Sequence, residues 1–294
     1  MMTVFKHTLR RYRGQIIGWG IAMFLYGAIN IPFYDLLVRD VSALDQLMNL
    51  IPPEAWAFFG MFDVSSYASP AGYLGLQYFD VMAVLILGTF AVLAGSGLLA
   101  SDEEAGRLDL ILAHPVNRTS LFWGRLAGFA AATLIILFMS WLGLVLPMSF
   151  TTMNLGWGEV ALPFLSLFGV LLVFGAAALL FSMLLPSRNI AAMAAGLLLV
   201  ASYIFTSLDR LLQLRGNTDL DVAARMTPLY YYQGGQAIDG LNASWLVGLL
   251  VAAATLAAIA WWRFQRRDIR VGGEGGWGLS LRRQIASAET RPGS

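Results

Sequence analysis

The sequence predicts an all-α membrane protein with six transmembrane helices. Of its 294 residues, 58 % are hydrophobic and only 13 % are charged, which is about half the charged fraction of a typical soluble protein. The mean hydropathy is +0.67, and six separate stretches have roughly the 20 mostly apolar residues that cross a bilayer. This composition argues against a soluble enzyme and excludes a disordered chain.

The six apolar stretches are distributed along the chain as far as residue 262. They cover residues 16–34, 78–100, 126–147, 160–185, 190–208 and 245–262. The first is longer than the hydrophobic region of a secretory signal, about 7–15 residues, and no small-x-small cleavage pattern follows it. We therefore expect the first stretch to be retained as a transmembrane helix.

The placement of basic residues predicts that both termini are cytoplasmic. With the N-terminus inside, 15 of the 19 Lys and Arg residues lie on the cytoplasmic side, as the positive-inside tendency requires. These are Lys6, Arg10, Arg11, Arg13, Arg107, Arg118, Arg125, Arg188, Arg263, Arg266, Arg267, Arg270, Arg282, Arg283 and Arg291. Outside lie Arg39, Arg210, Arg215 and Arg225. The Cys-free composition, rich in Ala and Arg, is typical of a bacterial inner (plasma) membrane protein.

Both ends of the chain are predicted to lie outside the bilayer core. In residues 3–13, Phe5, Leu9 and Tyr12 repeat on one helical face, and Lys6 and Arg10 repeat on another. This pattern predicts an amphipathic helix in the inner interface, and the alternative is an ordinary basic flank of the first span. Residues 271–294 are rich in Gly, Ser and Arg, which predicts a flexible cytoplasmic tail.

The segment between the second and third spans combines charge with a short apolar stripe. Three acids, residues 102–104, begin it, and Leu108, Ile111 and Leu112 follow at i, i+3 and i+4 before Pro115. A short amphipathic helix fixed between two rigid spans can transmit force from a soluble partner. The alternative is a solvated loop with one turn of helix.

Short motifs around these spans resemble those of ABC-2 type transporter permeases. Glu104-x-Gly106-x-Leu108, followed by Pro115-Val116-Asn117-Arg118, is similar to the family pattern E-x-G-T-L and P-[VIL]-[STN]-R. Arg107 replaces the usual Thr, and Arg125 stands where the family has a basic residue. The ending Phe264-x-Arg266-Arg267-Asp268 is similar to the family's F-x-R-R-D. The resemblance extends over residues 1–270, which would form the six-span permease domain.

The resemblance implies the membrane half of an ABC exporter. Its N-terminal amphipathic helix would be the interfacial elbow helix, and the segment 102–118 would hold a short coupling helix. Two permease chains, identical or different, would assemble with two ATPase subunits. Those subunits would bind the ATP, so this chain is expected to hold no cofactor, metal or catalytic group of its own. The implied coupling residues are Glu104, Gly106, Leu108, Ile111, Leu112, Pro115 and Arg118.

Several elementary observations agree with a chain that does not bind ATP. The only lysine, Lys6, follows Phe5, so a G-x-x-x-x-G-K-[ST] loop is impossible. Cysteine is absent, and the only histidines, His7 and His114, are far apart in the sequence, which leaves little for a metal site. The net charge of +1 gives no reason to expect nucleic acid as a partner.

Polar residues within spans are costly and mark candidate functional positions. Asp80 is predicted about one turn inside the outer end of the second span, and Asn30 lies in the first. Glu159 is predicted at the outer edge of the fourth span. Solvation or pairing with an outer arginine is the favoured explanation of the acids, and helix packing is that of Asn30. Substrate contact is the alternative for each.

Three other function classes remain as alternatives. A membrane enzyme would need paired catalytic groups at one depth, and neither H-E-x-x-H nor G-x-S-x-G occurs in the sequence. A secondary carrier usually has charge at mid-membrane, which this sequence lacks. A membrane protein that recruits or senses a soluble partner without transport would use the same cytoplasmic segment, and the sequence does not separate it from an exporter.

Overall fold

The computed structural model describes residues 1–39, 67–108, 117–216 and 219–266, together with Gln46, Leu50, Pro52 and Phe58. Within these residues, six helices are long and apolar enough to cross a membrane, so the predicted six-span, all-α fold class is confirmed. The spans are Arg13–Arg39, Pro70–Gly97, Arg118–Met148, Trp157–Leu184, Arg188–Leu214 and Ala243–Arg266. The shorter elements are Met2–Arg11, Ala100–Glu104, Asp221–Arg225 and the 3₁₀ turns Pro228–Tyr231 and Gly234–Ile238.

Most spans extend beyond the apolar stretches that predicted them, because polar residues at helix ends continue the backbone hydrogen bonding. The second span differs most from its prediction. It begins at Pro70 rather than residue 78, contains a π-helical segment over Gly75–Ala83, and ends at Gly97 rather than residue 100. At Leu99 the backbone leaves helical geometry, with φ −120° and ψ −44°, and the chain turns into the short helix Ala100–Glu104.

Side chains next to the spans determine where some of them begin. Asn117 Oδ1 accepts the Thr119 N–H at 2.9 Å, and Ser187 Oγ accepts the Ile190 N–H at 3.3 Å. Glu159, in the first turn of the fourth span, accepts the Gly156 N–H at 2.8 Å. Each such cap satisfies a backbone group that the helix leaves free, and is worth about 1 kcal/mol.

The fourth span forms the centre of the bundle. It packs against the second, fifth and sixth spans and also contacts the third, while the first and third spans pack on each other as a pair. Glycines permit the closest of these approaches. A Cβ on Gly95 would collide with the carbonyl of Gly175, and a Cβ on Gly143 would collide with the backbone of Phe24. These positions therefore join the second span to the fourth and the third to the first.

The N-terminal helix Met2–Arg11 packs against the third span rather than standing apart from the bundle. A Cβ on Gly124 would lie 2.9 Å from Val4, and one on Gly128 would lie 2.7 Å from Thr8. Tyr12, between this helix and the first span, is buried and donates to the Ala94 carbonyl at 3.1 Å. The N-terminal helix is thus fixed to both the third and the second spans.

Candidate functional site

Asp102 gathers three arginines at the end of the bundle where the N-terminus lies. Its Oδ2 is 2.5 Å from Nη2 of Arg125 and 2.7 Å from Nη1 of Arg11, and its Oδ1 is 3.0 Å from Nη2 of Arg107. Arg11 belongs to the N-terminal helix, Arg125 to the third span, and Asp102 to the short helix after the second span. We call these four residues the Asp102 cluster.

The centre of the Asp102 cluster is buried and its edge is exposed. The side chains of Asp102 and Arg125 are 4 % and 6 % exposed, whereas that of Arg107 is 59 % exposed. Arg125 also donates to the Leu98 carbonyl. Burial raises the pKa of Asp102, but the guanidinium groups of Arg125 and Arg11 lower it by more, so the net pKa lies below its usual value. The carboxylate is therefore charged at neutral pH, and each buried charge depends on its partner.

Glu104 connects the same segment to the fifth span. Its Oε1 accepts the backbone N–H of Arg188 at 2.7 Å, at the first residue of that helix. A carboxylate in this position satisfies a free N–H group and lies favourably in the field of the helix N-terminus. The segment that begins at Asp102 is thus bonded to the N-terminal helix, the third span and the fifth span.

Gly106 and Leu108 shape the chain that follows. Gly106 has φ +64°, a left-handed conformation that glycine adopts at little cost, and the Arg107 N–H returns to the Asp102 carbonyl at 2.8 Å. Leu108 is only 1 % exposed and belongs to the hydrophobic core. Its side chain is therefore packed within this chain.

The remaining predicted coupling residues are only partly covered by the structure. Ile111, Leu112 and Pro115 lie outside the described residues, as does the helix predicted there. Arg118 begins the third span, with its Cζ 6.0 Å from the ring centroid of Phe264 in the sixth span. The neighbouring bond from Gln265 Nε2 to Thr119 Oγ1, at 2.9 Å, also joins these two spans.

The intramembrane candidates lie elsewhere, towards the opposite end of the bundle. Asp80 is in the π-helical segment of the second span, and its Oδ1 accepts the Gly235 N–H at 3.1 Å. Asn30 Nδ2 donates to the Tyr26 carbonyl at 2.8 Å in its own helix. The structure therefore engages Asp80 with the turn Gly234–Ile238 and Asn30 with its own backbone, and it does not bring either to the Asp102 cluster.

Sequence reasoning missed that Asp102, Arg11 and Arg125 form one cluster. Asp102 is one of three consecutive acids, and nothing in the sequence marks it as the partner of Arg11 and Arg125. The available signal was Arg125, a charge seven residues inside the helix that begins at Arg118 and directly before an apolar stretch. A buried arginine in that position needs a carboxylate partner, and the acidic residues 102–104 precede it in the same inter-span segment.

The fold and this site define a class: a multi-pass helical membrane protein whose charged inter-span segment is bonded to several helices. Residues 2–269 match a family model described as ABC-2 family transporter protein. The chain therefore belongs to the ABC-2 transporter family, and the resemblance found in its motifs is confirmed. No curated protein matches the chain. As a family member it is a permease subunit of an ABC transporter, not catalytic by itself, and membership implies an ABC ATPase partner.

Proposed function

We propose that this permease subunit exports its substrate and is driven by separate ATPase subunits through residues 102–118. Two permease chains, identical or different, assemble with the ATPases in the inner membrane, with both termini in the cytoplasm. Family membership supports the ATPase partner. The lack of a phosphate-binding loop in the sequence supports ATP binding on that partner.

The observation that carries the coupling role is the bonding of Asp102 and Glu104. These two carboxylates, seven and five residues before residue 109, contact the N-terminal helix, the third span and the fifth span. A force that a soluble partner exerts on residues 109–116 is therefore transmitted to three helices. Charge-assisted hydrogen bonds suit this task, because they are short and directional.

The burial of Leu108 divides the coupling segment into two parts. Residues 102–108 are attached to the bundle by the Asp102 cluster, Glu104 and the buried Leu108. The contact with the ATPase then belongs to the residues that follow, with Ile111 and Leu112 as its apolar side chains. This end of the bundle also holds the N-terminal basic residues, and the positive-inside tendency supports a cytoplasmic location for it.

The proposed ATPase contact is tested by purifying the tagged chain from its host in mild detergent and identifying the proteins that accompany it. We expect an ATPase with a G-x-x-x-x-G-K-[ST] loop, which is retained by the wild type and lost from Ile111→Asp. A pure chain with no ATPase, under conditions that preserve other membrane complexes, would contradict the proposal.

Glu104→Ala is expected to reduce ATP-driven transport about two- to fivefold while the ATPase stays bound. The substitution removes the bond between the coupling segment and the fifth span, but it leaves residues 109–116 unchanged. A carboxylate at an exposed helix N-terminus contributes about 0.3–1 kcal/mol, which corresponds to about a two- to fivefold effect. Transport and ATP hydrolysis are measured on the same reconstituted complex, to separate coupling from turnover.

Glu159→Ala is the matched control for Glu104→Ala. Glu159 also accepts a backbone N–H at the start of a span, but within its own helix start and at the opposite end of the bundle. We expect this control to lose a little stability and to keep its transport per ATP hydrolysed. Equal loss of transport in both variants would mean that helix capping, and not the link from Glu104, is what matters.

A further inference from the structure

A polar cavity of about 160 Å³ lies beside the Asp102 cluster. Its walls come from the N-terminal helix, the first turn of the first span, the end of the second span, and single residues of the third and fifth spans. The polar side chains that line it include His7, Arg11, Gln15, Ser101, Arg125 and Arg188. At about 30 Å³ per water molecule, the space holds several waters or a small polyatomic ion.

The cavity wall carries an excess of positive charge. Three guanidinium groups, those of Arg11, Arg125 and Arg188, line it, and no carboxylate lines it among the described residues. Asp102 neutralises only part of this charge, because it is shared by Arg11, Arg107 and Arg125. Glu104 uses its carboxylate on the backbone N–H of Arg188, and not on the guanidinium. The wall is therefore suited to an anion.

Of the three arginines that line the cavity, Arg188 has the most unused donors. Its guanidinium makes one long bond, 3.4 Å from Nη2 to the Leu93 carbonyl. This guanidinium packs against the second span at Gly97. A Cβ on Gly97 would lie 3.1 Å from Nε of Arg188. No carboxylate in the described part of the chain pairs with it within 4 Å, although a guanidinium carries five N–H donors.

Exposed apolar side chains adjoin this basic cavity. Leu93, which itself lines the cavity, is 44 % exposed. Met82, eleven residues earlier in the second span and therefore on the same helical face as Leu93, is 43 % exposed. Arginines between spans beside a lipid-facing apolar surface provide what a phospholipid needs, a site for its phosphate and a surface for its acyl chains.

We propose that this cavity binds a phosphate group, supplied by an anionic lipid of the leaflet that borders this end of the bundle. Arg188 donates to the phosphate oxygens, and Arg11 and Arg125 add their charge from the opposite walls. The bound headgroup would hold the N-terminal helix, the second span and the fifth span together. Lipid binding of this kind depends neither on export nor on the ATPase.

The test is thermal unfolding of the full chain, purified in a neutral detergent, with phosphatidylglycerol, phosphatidylcholine or inorganic phosphate added. Phosphatidylglycerol is expected to raise Tm in a concentration-dependent way, because it binds only the folded protein. Arg188→Gln should weaken the apparent affinity about tenfold or more, since it removes charge-assisted bonds to the phosphate. Arg188→Lys should restore part of it.

Arg10→Gln is the matched control, because Arg10 is an exposed residue of the N-terminal helix that does not line the cavity. It should bind phosphatidylglycerol as the wild type does. An equal shift with inorganic phosphate alone would assign the site to a soluble phosphate compound and overturn the lipid source. The site itself would be overturned if phosphatidylglycerol still raised the Tm of Arg188→Gln, with this variant eluting as a single species on gel filtration. An equal rise in Tm with phosphatidylcholine would also overturn it.

Discussion

Replacing Asp102 with Asn is expected to lower the stability of the solubilised protein by about 3–5 kcal/mol, the range for removing one partner of a buried ion pair. The variant leaves the buried guanidinium of Arg125 without its carboxylate and also releases Arg11 and Arg107. The N-terminal helix, the coupling segment and the third span then lose their common contact. Chemical or thermal unfolding in detergent gives the loss of stability, and ATP-driven transport should fall below detection.

The control for this substitution is Asp221→Asn. Asp221 also pairs with an arginine, Arg225, at 2.9 Å, but this pair is far more exposed. Exposed pairs within one helical turn contribute about 0.3–0.5 kcal/mol, so this variant should unfold almost as the wild type does. If Asp102→Asn were equally mild, the cluster would not be the connection that we propose.

The stability that Asp102 contributes should also depend on pH. Its folded-state pKa is lowered, since the guanidinium groups of Arg125 and Arg11 outweigh the effect of burial. The contribution is therefore complete above the unfolded-state pKa, about 3.9, and is lost as the pH falls through the folded-state pKa. The Tm difference between wild type and Asp102→Asn should stay constant from pH 7 to about pH 5 and shrink below pH 4. A difference that persists at the lowest pH would mean that packing, and not charge, is responsible.

Gly95→Ala is expected to have the second-largest effect, a loss of about 1–3 kcal/mol, which is the usual range for overpacking. The added methyl group would meet the carbonyl of Gly175 in the fourth span. Backbone atoms cannot rotate away as a side chain can, so the second and fourth spans must separate. Because the fourth span is central to the bundle, we expect lower expression and a lower unfolding temperature in detergent.

The control for Gly95→Ala is Gly196→Ala in the fifth span. A Cβ on Gly196 would meet no atom within 4 Å, so the methyl group has room. Alanine is favoured over glycine in a helix by about 1 kcal/mol, and this variant should be unchanged or slightly stabilised. Equal loss of stability in both variants would show that the glycine contact between the second and fourth spans is unimportant.

Much of the fold follows from local properties of the sequence. A run of about 20 apolar residues has few options other than a transmembrane helix, because every backbone group must be satisfied within the bilayer. This is why the six spans were predicted correctly, although their ends were not. The second span begins eight residues before its prediction, since Pro70 and the residues after it are helical without being strongly apolar.

The candidate site was less predictable, because its residues come from distant parts of the chain. The sequence marks residues 102–104 as charged and Gly106 as part of a family motif, but the pairing of Asp102 with Arg11 joins residues 91 positions apart. The choice of Asp102 over Glu103 and Glu104 depends on which side chain faces Arg125 once the third span is packed. Likewise, Leu108 has the pattern of a docking residue, and only its burial assigns it to the core.

The sequence by itself determined that this is a six-span helical membrane protein with a charged segment between its second and third spans. Hydrophobicity, helix length and the placement of basic residues are properties of each segment alone. They therefore predict the same structure wherever that segment lies in the fold. Only the tertiary structure decided that Gly124 and Gly128 accept the N-terminal helix and that three arginines share Asp102. It also decided that Arg188 faces a basic cavity. Such contacts depend on the relative positions of helices, which packing sets and no single segment encodes.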